Sequence, residues 1–562
     1  MPVSPEPNGA SGGRPRVVDH VIEHLARRGV RYLFGVDGAN IEELYDAAHS
    51  CPDITAVVAK HEFSAAAMAD AYSRAGTGLG VVAATSGGGA LNTIPGLGES
   101  FASRVPVLAL IGQPSTAADG LGSFQDTSGS AGSLPGDALF AAVSVFCARV
   151  TTPDEILTAL PRAISAATRI GGPAVLLLPK DIQQAVLDSV IDDVLEDAHR
   201  ATGDLTALAQ RLRDTDGPVT ILAGDQVARD DARAELEMLR TVLCANVATV
   251  PDAKDVTGET LGVAGVMGHP AVAEALADSA LCLVVGTRLP LMARGGLDAA
   301  LGAVPLASIG AEAPYLPTVH VESHDLRTAL AELAVAVTDG APPNRTPAPQ
   351  PVRGELSPPP HEGAGVRYRD AMLTLDAVLP DGTDIVVDAG NVGAAAIHWL
   401  PARPDGRFLV ALGMGGMGYS FGGGIGTAFA RGRRTVVVAG DGSFYMHGME
   451  IHTALHHRLS VTFVLFDNHA HAMCVTREQQ FFGDRYSYNR FGPSRLGAGL
   501  AAMFPGLPAV DVTDLGDLGA ALRSAVDVEG PSVVAVECSA DEIPPFTAFL
   551  DPSTQSDSRE HA

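Results

Sequence analysis

Short, unbroken apolar runs separated by stretches of helical periodicity recur along this sequence and restrict its fold more than any other feature. The runs are Tyr32–Val36, Gly80–Ala84, Val107–Ile111, Ala174–Leu178, Val219–Ala223, Leu281–Val285, Ile385–Asp388, Thr435–Ala439, Thr462–Phe466 and Ser532–Val536. A strand with one wet face alternates apolar and polar residues; these runs do not, so helices must cover both of their faces. Strands of that kind form parallel sheets, and 562 residues exceed what one core can hold. The expected fold class is α/β, with three parallel-sheet domains over 15–190, 200–338 and 366–550. Residues 339–365 contain Ala-Pro-Pro-Asn-Arg-Thr-Pro-Ala-Pro-Gln-Pro-Val and Ser-Pro-Pro-Pro-His, a proline density that favours extended chain and reads as a linker. A weaker break falls near 190–205. Several runs end in Gly or Asp, where open α/β sheets place ligand-binding loops.

Composition excludes several classes. A formal net charge of -27 argues against a nucleic-acid partner, which needs a basic face. Hydrophobic content of 46% with 62 glycines excludes a disordered chain. Cys51, Cys147, Cys244, Cys282, Cys474 and Cys538 are scattered singly, mostly in apolar surroundings, as reduced thiols of a cytoplasmic protein are. Met1 to Arg14 lacks the apolar core of a secretory signal. No run of about 18 apolar residues is present, so no membrane span is expected.

The strongest chemical signal is Val-Val-Val-Ala-Gly440-Asp441-Gly442-Ser443-Phe444, a strand entering a glycine-flanked Asp and then a helix. Glycines let backbone approach an anion, and a helix N-terminus offers free N–H groups to phosphate. A carboxylate there would repel phosphate unless a cation such as Mg2+ lay between them. The next strand ends in Asp467-Asn468-His469-Ala470, with Asn468 27 residues after Asp441. Beside Asp441, Asn468 offers a neutral amide oxygen to such a cation and the Ala470 carbonyl a further one. Gly-Asp-Gly alone also marks ordinary turns; the two strand ends together say more.

Earlier in the chain, Glu62 opens a helix of small residues after a short strand around Val57. By itself it reads as an acid favouring the helix dipole. His61-Glu62 is followed, 23 residues after Glu62, by Thr85-Ser86-Gly87-Gly88-Gly89-Ala90-Leu91-Asn92. The C-terminal third adds Gly413-Met414-Gly415-Gly416-Met417-Gly418-Tyr419-Ser420.

Together these motifs resemble the thiamine diphosphate enzymes, in particular the acetolactate synthases, over roughly 16–335 and 367–545. The resemblance implies a pyrimidine-binding domain, a central Rossmann-like domain and a diphosphate-binding domain. It makes Glu62 the acid that protonates the aminopyrimidine ring, so that its exocyclic nitrogen can take the thiazolium proton. Such a carboxylate belongs in an apolar pocket, where it can share a proton. Met417 becomes the wedge that bends the cofactor, and the Gly415 carbonyl an acceptor for its amino group. Gly35, Gly38, Thr85, Asn92, Asn391, Gly440, Gly442, Ser443, His471 and Met473 complete the implied cofactor contacts. Two departures stand out: Gly88 replaces a proline, which would loosen its loop, and Asp467 replaces the first Asn of Asn-Asn.

Within the family, decarboxylases carry an acid in the first loop, where Ala39 stands here, and a His-His pair where Phe124-Gln125 stands. Gln125 is 63 residues beyond Glu62. Phe124, Gln125 and Lys180 of Pro179-Lys180-Asp181 resemble acetolactate synthases, in which Gln125 and Lys180 would bind an acceptor. The Trp associated with acceptor choice is absent; Glu478 stands nearest to its place, so an acceptor other than pyruvate or 2-oxobutyrate is implied. Arg477 and Glu478 read equally as acceptor contacts or as solvated helix surface. Among His447, His452, His456, His457, His469 and His471, the i,i+4 pair His452/His456 lacks the further ligands of a zinc site. His471 is the candidate proton shuttle. FAD is the cofactor that the resemblance brings to the central domain, but Asp225-Gln226 and the partial Gly262–His269 match favour helix–strand packing instead.

The resulting expectation is a cytoplasmic homodimer or homotetramer using thiamine diphosphate and Mg2+. It would decarboxylate a 2-oxo acid donor, pyruvate by default, and join the two-carbon unit to a carbonyl acceptor, even a carrier-bound one. The alternative is a non-ligating 2-oxo acid decarboxylase. A catalytically silent regulatory subunit would lack Glu62.

Overall fold

The computed structural model describes residues 14–76, 78–188, 201–258, 260–338 and 349–550. Among them, seventeen strands build three sheets in which every pairing is parallel. The N-terminal sheet contains β1 (Tyr32–Val36), β2 (Thr55–Val58), β3 (Gly80–Ala84), β4 (Val107–Gln113), β5 (Phe146–Arg149) and β6 (Pro173–Pro179), ordered β2-β1-β3-β4-β6-β5. The central sheet contains β7 (Val219–Ala223), β8 (Asn246–Thr249), β9 (Leu281–Val285), β10 (Leu306–Gly310) and β11 (Val319–Glu322), ordered β11-β10-β9-β7-β8. The C-terminal sheet contains β12 (Asp384–Val387), β13 (Phe408–Val410), β14 (Thr435–Gly440), β15 (Val461–Asp467), β16 (Ala509–Val512) and β17 (Ser532–Glu537), ordered β13-β12-β14-β15-β17-β16.

All ten apolar runs are strands. Of the seven strands that none of these ten runs announces (β2, β5, β8, β10, β11, β13 and β16), all but β10 are sheet edges. Edge strands need cover on fewer sides; β5 is half-buried throughout and β16 is exposed at two of its four positions.

In each sheet the connections from its first strand part in opposite directions: between β1 and β3, between β7 and β9, and between β12 and β14. At such a switch point the loops leaving adjacent strands diverge and open a crevice. Glycine, Thr85 and Asn40 line the first, and Asp388 with Asp441 the third. Gln226 fills the second, accepting from Ala311 N–H at 2.9 Å and donating to the Ser323 carbonyl at 2.9 Å.

The chain divides into two compact units, one with the N-terminal sheet and one with the central and C-terminal sheets. In the second, the fully buried Lys254 of the central domain donates to the carbonyls of Ala396, Ile397 and Leu400 at 3.2, 2.6 and 2.6 Å. These lie at the end of the Asn391–Trp399 helix. His269 and His398 stack at 4.4 Å between ring centroids, and burial lowers their pKa values to about 2 and about 4. Residues 339–348 of the proline-rich linker, and most of the weak break near 190–205, lie outside the described residues. The remainder of the linker, 349–365, has no helix or strand and is pinned: Asn246 donates to the Pro349 carbonyl at 2.7 Å and Leu356 N–H to His398 Nε2 at 3.0 Å.

Candidate active site

In the N-terminal unit, β2 delivers the chain to Glu62, the first residue of the Glu62–Ala75 helix. His61 ends that approach as a cap, its Nδ1 accepting the Phe63 N–H at 3.0 Å. The Glu62 side chain is buried; Asn92 Nδ2 donates to its Oε2 at 3.0 Å. Its other oxygen lies where a Cβ on Gly89 would come within 3.0 Å, so glycine there leaves the carboxylate its room. The loops after β1 and β3 interlock: Asn40 N–H donates to Thr85 Oγ1 at 3.2 Å and Asn40 Nδ2 to Ser86 Oγ at 2.7 Å. Ser86 Oγ in turn donates to Gln125 Oε1 at 3.3 Å. Gln125 adopts φ +62° and lies over Gly87, whose own φ is +63° and where a Cβ would meet Gln125 Cβ at 2.7 Å.

Glu62, Thr85, Asn92, Gln125, Gly35 and Gly38 thus share one cluster. Gly38 packs on Thr85, and Gly35 faces the Ala83 carbonyl and the Tyr45 hydroxyl, so both glycines have packing reasons of their own. Burial, with Asp37 and Glu62 nearby, raises the Tyr45 phenol far above its ordinary value. Phe124 is 81% exposed. The Lys180 ammonium is committed to the loop after β1, donating to the Ala39 carbonyl at 2.8 Å and to Glu42 at 2.6 Å. Gly88 is the first residue of the Gly88–Ala102 helix, a position that proline also favours.

In the C-terminal domain, β14 ends at Gly440 and Asp441 starts the next helix. The strand β15, paired with β14 in parallel, ends beside it at Asp467. The Ala470 N–H ties the two ends together, lying 3.1 Å from both Asp441 Oδ2 and Asn468 Oδ1. Asp441 Oδ1 is buried with no hydrogen-bond partner among the described residues. Burial and then the charge of Asp467 raise the Asp441 carboxyl to about 7. Burial raises Asp467 as well, against the hydrogen bond it accepts from Ser494 at 2.9 Å. His469, at φ +53°, holds Nδ1 3.0 Å from Asp467 and Nε2 3.1 Å from Glu537. One ligand atom each from Asp441, Asp467 and His469 lies within 4.8 Å of the others. Oxygen donors, two adjacent buried acids and an unpartnered carboxylate oxygen fit a hard divalent cation.

The Gly413–Ser420 loop is fastened to this place by Asp388, which follows β12. Its carboxylate accepts from Gly418 N–H at 3.0 Å, Ser420 N–H at 3.0 Å and Ser443 Oγ at 2.7 Å. The terminal methyl of Met417 would meet a Cβ on Gly442 at 3.4 Å, so the loop reaches the Gly-Asp-Gly turn. Gly415 takes φ +64° with open space where a side chain would be. His471 Nδ1 is buried without a partner and would lie 2.4 Å from a Cβ on Gly442. Burial lowers its pKa, and its ring stands edge-on to Phe491 at 4.7 Å. Asn391 opens its helix fully buried, with Oδ1 unpartnered and Nδ2 directed to Thr476 Oγ1 at 3.3 Å. Met473, the second residue of the Ala472–Phe482 helix, is half-buried.

Three family models match the chain: thiamine pyrophosphate enzyme N-terminal TPP binding domain over 15–131, central domain over 205–307 and C-terminal TPP binding domain over 388–536. This chain belongs to the thiamine pyrophosphate enzymes. It is 27% identical to the large subunit of acetolactate synthase isozyme 2 of Escherichia coli K12, over 93% of this chain and 95% of that one. It is 26% identical to a sulfoacetaldehyde acetyltransferase of Castellaniella defragrans, covering 93% of each chain. A crystal structure described as a thiamin diphosphate-dependent enzyme from Mycobacterium smegmatis superposes with a TM-score of 0.77 at 20% identity, covering 94% of this chain and all of that one, and shows the shared fold.

Several features of this family member escaped sequence reasoning. Asp388 carried the same strand-end signal as Asp441 and was legible as the end of an apolar run. Tyr368, Glu542 and Ser494 gave no motif; only the fold brings them beside the site. Glu478 is buried and accepts from Asn489 Nδ2, which rules out a solvated helix surface for it. His452 packs on Phe504 and His457 on Phe429, ordinary ring contacts. The central-domain glycines are occupied by packing: Gly262 against His269, and Gly265 against the Met292 carbonyl. Among the described residues, no helix is long and apolar enough to cross a membrane.

Proposed function

We propose that this chain is a thiamine diphosphate- and Mg2+-dependent carboligase that decarboxylates a 2-oxo acid, pyruvate by default, and joins the two-carbon unit to an acceptor carbonyl. The observation that carries this reading is Gln125. An amide held by Ser86 beside the Glu62 loop occupies the place where a decarboxylase needs titratable proton donors to release an aldehyde. The names of the acetolactate synthase relatives support it.

Thiamine diphosphate, when bound, supplies a nucleophilic carbon that adds to the 2-oxo acid and takes up the electrons of the broken carbon–carbon bond. In our reading Asp441, Asn468 Oδ1 and the Ala470 carbonyl hold Mg2+. Gly440, Gly442 and Ser443 admit the diphosphate, the Gly415 carbonyl accepts from the aminopyrimidine and Met417 supports the cofactor's bend. Glu62 holds the proton shared with the aminopyrimidine nitrogen, with Asn92 fixing its orientation. His471, neutral and with Nδ1 free of protein partners, moves a proton at that atom. Gln125 binds the acceptor, and Lys180 joins it only by releasing Glu42. The absence of the acceptor-associated Trp and the presence of buried Glu478 point to an acceptor other than a second pyruvate. We assign the central domain, with Gln226 in its crevice, a structural role without FAD. The exposed Phe124 suits a homodimer or homotetramer in which subunits complete each other's sites, working in the cytoplasm.

Incubation with pyruvate, Mg2+ and thiamine diphosphate tests this. Acetolactate, or CO2 release that requires an added carbonyl compound, supports carboligation; acetaldehyde alone refutes it, and acetyl transfer to a non-carbonyl acceptor replaces it. Glu62→Gln is expected to lower kcat by about 10²- to 10⁴-fold; unchanged kcat removes Glu62 from the mechanism.

A further inference from the structure

Asn468 is a side chain whose two ends must not be exchanged. Only its oxygen can ligate a cation, and an inverted amide would aim two N–H donors at the metal. The Ala470 N–H favours the correct orientation from one side, at 3.1 Å from Oδ1. That hydrogen is shared with Asp441 Oδ2 at an equal distance, so its hold on Asn468 is partial. The other side rests on Tyr368. Its hydroxyl accepts from Asn468 Nδ2 at 3.3 Å and directs its own hydrogen to the Ser539 carbonyl at 3.4 Å. With that hydrogen committed to a carbonyl, the phenol oxygen is left as an acceptor and selects the amide's NH2 end.

Tyr368 is itself held. Its ring is fully buried and meets Phe466 at 6.1 Å, and its N–H donates to Glu542 Oε1 at 2.9 Å. We infer that Tyr368 is a positioning residue for the metal site, orienting the Asn468 amide so that Oδ1 faces the cation. Outer partners of this type commonly change metal affinity about 10- to 100-fold when removed. The inference rests on Asn468 being a ligand, as proposed above.

The test uses the full-length chain and Mn2+ with thiamine diphosphate, following loss of the free-Mn2+ electron paramagnetic resonance signal, which needs no turnover. Tyr368→Phe is expected to raise the Mn2+ Kd about tenfold or more while its melting temperature in EDTA stays near that of the parent. In an Asn468→Ala background the same substitution should change Kd no further, an outcome that a general packing defect would not give. If Asn468→Ala weakens Mn2+ binding and Tyr368→Phe does not, the positioning role is overturned and the ligand assignment stands. If Asn468→Ala leaves Kd unchanged, the ligand assignment itself fails. Should Tyr368→Phe not fold, 3-fluorotyrosine at 368 keeps the ring and weakens the acceptor; an unchanged Kd there overturns the role equally.

Discussion

A carboxylate that is buried and faces a second carboxylate holds its proton tightly, and Asp441 meets both conditions. Its raised folded-state value, about 7, makes the protonated form the favoured one in the metal-free protein below that pH. The stabilisation from that proton is complete below the ordinary carboxylate range and is lost as pH rises through about 7. Metal-free protein should therefore melt at progressively lower temperature as pH is raised from the ordinary carboxylate range to that value and level off above it, and saturating Mg2+ with thiamine diphosphate should remove the trend. Binding requires the deprotonated carboxylate, so the apparent Mg2+ affinity should fall about tenfold per pH unit below that point. Thermal melts in EDTA and in Mg2+, read at several pH values, check both statements; a flat metal-free profile contradicts them. Asp467 sharpens the effect, because an Asn in its place would carry no charge to repel Asp441.

Helices and strands present the site's groups, and small local devices decide whether they do so correctly. His61 caps the helix that Glu62 begins; His61→Ala should cost about 1 kcal/mol in denaturant unfolding, and His61→Asn should recover most of it. Equal stability of the two variants would show that the cap contributes nothing. Sequence legibility also divides at this scale. Interior strands such as β4 and β15 are apolar at nearly every position because helices cover both faces, so they announce themselves. Edge strands such as β11 and β16 are short and half wet, so neither an unbroken apolar run nor a strict alternation announces them. The Asp441 and Glu62 motifs were readable because strand–turn–helix chemistry is local. Tyr368 was not, since its meaning depends on Asn468, a hundred residues on. The resemblance offers Lys180 to an acceptor, and only the folded loop reveals Glu42 beside it.

For the larger unit, Lys254 matters most. Its ammonium ends a helix of the C-terminal domain from within the central one, over the Phe408 ring at 4.5 Å, and burial drives its pKa well down. Lys254→Met would leave three helix-end carbonyls without their donor, and a loss of about 3 kcal/mol is expected. Hydrogen exchange monitored in β9 and β14 should show both sheets weakening together; loss confined to the central sheet would contradict this coupling.

That same helix begins at the buried Asn391, directed to Thr476, and ends on Lys254. Exchanging the central domain for a relative's would therefore not be a neutral graft. A donor lacking a cation at this position would fray the far end of a helix whose near end belongs to the proposed site, so shuffled chimaeras should be screened first for what they place at 254.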